Sequence, residues 1–326
     1  MNNKKMNYII VSPIQYCGGP IVLHYLCKLL NDRGYNAKVF LINTLGGKIA
    51  YENTLKYWYN HLIFITKYLI KKLISYLFIT EKNYHSRYDG IYYLPVKDVK
   101  IKYLPFFNKG KTIVVYPEIV YGNFLKAKYV VRWLLYYNRY ANDPNAFGKN
   151  DLVMAYREIF NDTSLNPSNN ILTLSYFNMD LYKQTNFEER KGYCYVIRKG
   201  KNRTDLPTQY DGPIIDNFSE FEKVKAFNNY KYCILYDMQT AYASIAALCG
   251  CIPIQIPEQG KTRKDYCGQG EKRYGVAFGQ TQEEIDWALN TKPLLLKHYT
   301  DMMNNDANKV DDFIKMCDEH FFHSNC

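Results

Sequence analysis

Hydrophobic and polar positions along the chain follow two periods. NYIIVSPI, KTIVVYPEI, LVMAY and CILYD are short apolar runs, several rich in β-branched residues. Such runs suit strands buried on both faces of a parallel sheet. Helical spacing lies between them. After the Gly18–Gly19 pair, Leu23, Leu26, Leu29 and Leu30 form one apolar stripe, and Gly34 stands where a glycine ends a helix. The opening therefore reads as strand, Gly-Gly loop, amphipathic helix and second strand, a βαβ unit. Further strands are expected at GIYYLPV and ILTLSYF, with helix over AKYVVRWLLYY.

The pattern restarts near Lys191. YCYVIRK and PIID read as strands and SEFEKVKAFNNY as a helix. Tyr232 to Gln255, YCILYDMQTAYASIAALCGCIPIQ, reads as strand, short loop, small-residue helix ending at Gly250, and strand. Thr281 with Glu284 forms a capping box before TQEEIDWALN, and residues 292–322 read as mostly helical. Two βα-rich halves predict an α/β protein of two Rossmann-like domains facing a central cleft, over residues 1–185 and 186–300, with a helical tail at 301–326.

The segment from Thr54 to Thr80 stands apart. Its charge-free runs are shorter than the roughly 20 residues a membrane span needs. Lys56, Asn60, Lys67, Lys71 and Ser75 share one helical face, Trp58, Leu62, Ile65, Leu69 and Leu73 cover the rest, and every charge is positive. Two readings fit: a basic amphipathic helix lying on an anionic membrane, or a core helix with one solvated lysine stripe.

Composition narrows the picture. The 326 residues allow two domains, and 47% hydrophobic content excludes wholesale disorder. A net charge of +11 suits anionic partners without choosing among them, and no nucleic-acid-binding module is visible. The nine cysteines are odd in number and form no CxxC pair, so buried free thiols in a reducing compartment are expected. The basic start runs into a short apolar stretch with strand character, not a signal peptide, which predicts a cytoplasmic protein. The six histidines show no metal-ligand spacing, so neither a metal nor a resident cofactor is expected.

Candidate chemistry gathers where strands end, because open α/β sheets bind ligands at their carboxyl edge. Gly18 and Gly19 let a ligand approach the backbone, or simply make a tight turn. Glu118 follows a strand and suits a base, an acid or a sugar-hydroxyl acceptor; the alternative is a carboxylate paired with Arg132 or a lysine. Arg198, Lys199, Lys201 and Arg203 end another strand, where cations could neutralise a diphosphate, or form a solvated basic turn. Asp237, Thr240 and Ser244 surround the start of the small-residue helix. The Gly-rich, basic stretch from Gly260 to Gly275 is either a mobile cover or a solvated loop.

With these residues in view, the chain resembles the GT-B-fold glycosyltransferases of bacterial surface polysaccharide (capsule and lipopolysaccharide) biosynthesis. The resemblance rests on CGGPIVLHYLCKLLNDRGYNAKVF, VVYPEIVYGNFLKAKYVVRWLL, YCYVIRKGK and above all DMQTAYASIAALCGCIPIQI. It implies a nucleotide-sugar donor held mainly by the second domain and a glycan or lipid-linked acceptor bound by the first, with no metal required. Carried over, Glu118, Arg198 and Lys199 are the catalytic candidates. Gly18, Gly19, Lys201, Asp237, Thr240 and Ser244 are the donor-binding ones. Many retaining members hold the ribose with a glutamate where this chain has Ile245. Ribose recognition then falls to groups such as Asp237 or Glu258, or the donor is unusual, or the site is degenerate. A sugar-nucleotide epimerase-like enzyme and a non-catalytic nucleotide-sugar-binding protein are the alternatives on the same plan.

Overall fold

The computed structural model describes residues 5–14, 18–43, 54–77, 96, 98–238, 240–266 and 273–323. The chain forms two compact units, Met1–Tyr176 with Met303–Cys326, and Phe177–Met302.

The first unit contains β1 (Asn7–Pro13), α1 (Gly18–Asp32), β2 (Asn36–Ile42), α2 (Thr54–Leu77), β3 (Ile101–Lys102), β4 (Thr112–Pro117), β5 (Tyr129–Leu134) and β6 (Leu152–Ala155). All six strands are parallel, in the order β3-β2-β1-β4-β5-β6. The chain winds one way from β1 to β3 and the other way from β4 to β6, so the carboxyl ends of β1 and β4 flank a topological switch point.

Side chains that alternate along each strand enter two cores. Tyr8 and Ile10 of β1 pack with α1 residues and with Val310, Phe313 and Cys317 of the carboxyl-terminal helix. Ile9 and Val11 pack with Phe40, Tyr57, Val114, Tyr116 and Phe124. Burial on both faces explains why these strands are apolar throughout.

Helix α2 uses two faces differently. Tyr57, His61, Ile65 and Tyr68, at helical spacing, are buried. Leu62, Leu69, Ile70 and Leu73 are exposed, as are Lys56 and Lys67. The helix therefore contributes to the core and also presents a basic, apolar surface. No described helix is long and apolar enough to cross a membrane. Residues 78–80 and the side chains of Lys71 and Ser75 lie outside those described.

The second unit holds β7 (Lys191–Val196), α3 (Glu220–Asn229), β8 (Tyr230–Leu235), α4 (Tyr242–Leu248), β9 (Ile252–Gln255), β10 (Ala277–Phe278) and the first part of α5 (Gln282–Phe322), which from Met303 on belongs to the first unit. Its four strands are parallel, in the order β10-β9-β8-β7. Ser219 and Glu222 close a reciprocal capping box at the start of α3. The six described cysteines are buried free thiols, and Cys194 and Cys233 are register partners on adjacent strands.

Several local expectations are corrected. AKYVVRWLLYY is not a helix: its centre is β5, a buried strand paired on both sides by β4 and β6. A short apolar run fits helix or strand by periodicity alone, and here β-branched Val130 and Val131 with two available neighbours favour the strand. ILTLSYF and PIID form no strands, only single bridges from Ile171 to Ala155 and from Ile214 to Tyr195. Thr281 accepts from the Glu284 N–H as expected. The Glu284 carboxylate, however, turns to Arg263 and to the Phe278 N–H instead of closing the box. Of GIYYLPV, only Val96 is described.

His24 sits on the buried side of α1, where its Nδ1 has no hydrogen-bond partner. Burial lowers its pKa from 6.5 to about 3. The unfolded chain therefore binds a proton below pH 6.5 that the folded chain refuses until about pH 3, so acid in this window favours unfolding. Linkage gives a loss of about 2 kcal/mol by pH 5. The melting temperature of His24→Leu should fall less than that of the wild type between pH 7 and pH 5; parallel pH profiles would remove His24 as the cause.

Candidate functional site

The candidate residues lie at the carboxyl edges of two parallel sheets, one in each unit.

In the first unit they converge at the switch point. Glu118 directly follows β4 and is buried, and its Oε2 accepts from the Leu135 N–H, just past β5, at 3.0 Å. Burial raises its pKa above the ordinary carboxylate value, while the backbone donor at Leu135 works against that shift. Gly18 and Gly19 occupy the first turn of α1, not a loop before it. A methyl at Gly18 would meet no described atom within 4 Å, and one at Gly19 would meet only the Leu135 side chain, at 3.5 Å. Leu135 thus lies beside both Glu118 and Gly19.

Glu118 does not pair with Arg132. That guanidinium is fully buried and bonded elsewhere: Nε to Asp151 at 2.7 Å, Nη1 to the Val120 carbonyl at 3.1 Å and Nη2 to the Gly122 carbonyl at 2.8 Å. The Tyr116 and Phe147 rings also pack against it, at 4.8 and 4.9 Å. Arg132 therefore anchors the loop that begins with Glu118.

In the second unit, the chain after β7 makes a tight turn, Arg198–Asn202. Arg198 has a φ of 39°, in the left-handed region that side chains disfavour. The Asp216 carboxylate holds it there by accepting the Ile197 and Arg198 N–H groups, at 3.1 and 2.7 Å. Gly200 is required by contact, since a Cβ there would come within 2.4 Å of the Tyr236 carbonyl oxygen. The turn exposes Arg198, Lys199 and Lys201 and sets the Arg198 guanidinium 5.2 Å over the Tyr242 ring, at the start of α4.

The loop after β8 brings the remaining candidates to the same edge. Asp237 is 2% exposed, and its carbonyl accepts from Gln255 at 3.4 Å. Thr240 Oγ1 accepts from the Tyr242 N–H at 3.2 Å, and Ser244 is half-buried on α4. Helix α4 has seven residues, just under two turns, so the flanking cations carry the positive charge of this edge.

Two residues suggested by the sequence are engaged otherwise. Arg203 pairs with Asp205 and donates to the Ile256 and Pro257 carbonyls, stitching the ends of two strands together. Glu258 pairs with Lys261, which lowers its pKa. Asp216, Tyr242, Gln255 and Arg273 were not legible as site residues, yet they shape this edge. Arg273 donates to the Met238 carbonyl at 2.7 Å and to Gln255 at 2.9 Å, fixing the loop beyond Asp237. No periodic pattern singles out Arg273; Asp216 ending PIID was the one available signal. Residues 267–272 of the Gly-rich stretch lie outside those described. Among the described residues, no three His, Cys, Asp or Glu side chains are grouped to hold a metal ion.

A scan of protein-family models finds no match to the chain, and a search of curated proteins finds none.

Replacing Arg132 would leave Asp151 without its cation and strip two carbonyls of their donors. Arg132→Met should lower unfolding free energy by about 3–5 kcal/mol, the usual cost of breaking a buried pair from one side. Urea denaturation checks this; a loss below 1 kcal/mol, on the scale of about 0–1 kcal/mol for an exposed pair, would show that the anchor is dispensable.

Proposed function

We propose that the protein is a glycosyltransferase that moves a sugar from a nucleotide-sugar donor to a glycan or lipid-linked acceptor, with the GT-B arrangement of its two domains as part of the proposal. The observation that carries it is the turn after β7. Arg198 is held in a disfavoured backbone conformation by Asp216, and its guanidinium stands with Lys199 and Lys201 at the carboxyl edge of a parallel sheet. Backbone strain over-determined by its surroundings points to use, and the use this charge suits is neutralisation of a departing diphosphate.

In this reading the second unit binds the nucleotide, with Asp237, Thr240 and Ser244 on the nucleoside side. The glycosidic C–O bond breaks as Arg198 and Lys199 take up the growing negative charge. The acceptor hydroxyl forms the new bond to the sugar carbon. If the configuration inverts, Glu118 takes the hydroxyl proton. Burial raises its pKa toward the range in which a carboxylate is an effective base. Gly18 and Gly19 leave room for the sugar.

The acceptor side of the proposal draws on α2. Its exposed Leu62, Leu69 and Leu73 with Lys56 and Lys67 suit a surface lying in the headgroup layer of an anionic membrane. In this reading the enzyme works peripherally on the cytoplasmic membrane face, near a lipid-linked acceptor.

The first experiment is thermal stability against a panel of nucleoside diphosphates and nucleotide sugars. One base family should stabilise the protein, by about 2.7 kcal/mol at 100 times its dissociation constant. With donor and acceptor in hand, Arg198→Ala should cut turnover by more than about tenfold, or about 1.4 kcal/mol of transition-state stabilisation. No shift across the panel, or an Arg198→Ala enzyme at wild-type rate, would overturn the reading. Turnover of the donor without an acceptor would point to the epimerase-like alternative.

A separate measurement addresses α2. The protein should co-sediment with phosphatidylglycerol vesicles more than with phosphatidylcholine ones, and a Leu62→Glu, Leu69→Glu double variant should stay in the supernatant. Equal retention of this variant and the wild type would remove α2 from the membrane reading.

A further inference from the structure

The amino edge of the second unit's sheet, opposite the candidate donor residues, holds a cavity of about 300 Å³. It draws on the start of all four strands. Arg190 directly precedes β7, Lys231 is the second residue of β8, Cys251 precedes β9, and Gly275 lies two residues before β10. Lys292 of α5 completes it.

Two cations in this cavity lack an anionic partner. The Nη1 of Arg190 is buried and has no hydrogen-bond partner. Lys292 donates to the neutral Gln184 amide at 2.9 Å. Burial, and then the neighbouring Arg190 charge, lower the Lys292 pKa, so the two cations repel each other across a partly desolvated space. Glu188 and Glu189 also line the cavity, but both are exposed, and neither pairs with Arg190 or Lys292 among the described residues.

The backbone makes room for this arrangement. Gly250 has a φ of 95°, and a Cβ there would come within 2.5 Å of the Arg190 Nη1 and 2.6 Å of the Gln184 amide carbon. Gly275 has a φ of 74°, and a Cβ there would press on the Leu295 side chain at 3.1 Å and the Ala247 Cβ at 3.3 Å. Glycine at position 250 lets the Arg190 guanidinium approach the end of α4 closely, and glycine at position 275 lets the chain before β10 pack against α4 and α5.

A buried guanidinium donor without an acceptor is costly unless a ligand supplies one. A single carboxylate would offset one of the two charges, whereas a phosphate dianion offsets both and brings several acceptor oxygens. We propose that this cavity is a binding site for a phosphate group, gripped by Arg190 and Lys292 and separate from the site at the opposite edge of the sheet. The phosphate is either free inorganic phosphate or the headgroup of a small phosphate monoester, which the remaining volume would admit.

Titration calorimetry at constant ionic strength tests this with inorganic phosphate, glycerol 3-phosphate and acetate as probes. Both phosphates should bind and acetate should not. Tighter binding of the ester would identify an organic phosphate as the ligand class, and equal binding would identify free phosphate. Arg190→Gln and Lys292→Gln should each weaken phosphate binding by about tenfold or more, the scale of one lost charge-assisted bond. Arg198→Gln, at the other edge, should leave it unchanged. This control separates the site from the proposed donor site, so either can fail alone. Absence of phosphate binding to the wild type would overturn the proposal. So would wild-type affinity in Lys292→Gln, which probes the cavity even if Arg190→Gln does not fold. Loss of binding in Arg198→Gln would reassign the phosphate to the donor edge.

Discussion

A guanidinium cannot give up its charge in a protein, so a fully buried arginine must be surrounded by acceptors. Arg132 meets that demand in the middle of the first unit. Its side chain leaves β5, takes one bond to Asp151 just before β6, and takes two more to the carbonyls of Val120 and Gly122 beyond β4. Three consecutive crossings of the sheet are thereby fixed against one another at their ends. Glu118 lies at the head of the loop that those carbonyls hold, so the carboxylate's position follows from a charge that never touches it. The Tyr116 and Phe147 rings exclude water from the guanidinium and make each of those bonds harder to exchange.

The second unit solves a related problem at both edges of its sheet. Along the carboxyl edge, charges that the sequence groups together divide by role. Arg203 is consumed in donating to the Tyr236 and Ile256 carbonyls just past β8 and β9, while Arg198, Lys199 and Lys201 stay exposed on the same turn. Along the amino edge, Arg190 and Lys292 have no ion-pair partner among the described residues, although Glu188 and Glu189 stand exposed beside them. A basic protein thus concentrates two of its uncompensated clusters at opposite ends of one small sheet.

Much of the fold was legible because burial on both faces leaves apolar strands: β1, β4, β6 and β9 show it along nearly their whole length, and β7 and β8 over their second halves. The short runs that failed share one trait. AKYVVRWLLYY carries enough apolar residues to satisfy either period, and only the neighbours β4 and β6 decide it. ILTLSYF has alternation but lacks a partner along its length beyond Ile171. Among the candidate site residues, Glu118 and the Arg198 turn could be placed because strand ends are visible in the sequence. Asp216, Tyr242 and Arg273 could not, since each acts through a contact between segments distant in sequence, and spacing carries no record of such contacts.

The two-faced character of α2 also bears on how the protein behaves in solution. Twenty-four helical residues extend about 36 Å, and apolar side chains stand exposed along much of that length. At low ionic strength the surplus positive charge keeps copies of the chain apart. Added salt shortens the reach of that repulsion to about 8 Å at physiological strength, while leaving the attraction between apolar stripes intact. The exposed apolar stripe therefore makes the protein prone to self-association as salt rises, and dilute, low-salt buffer is the condition in which the single chain is best preserved.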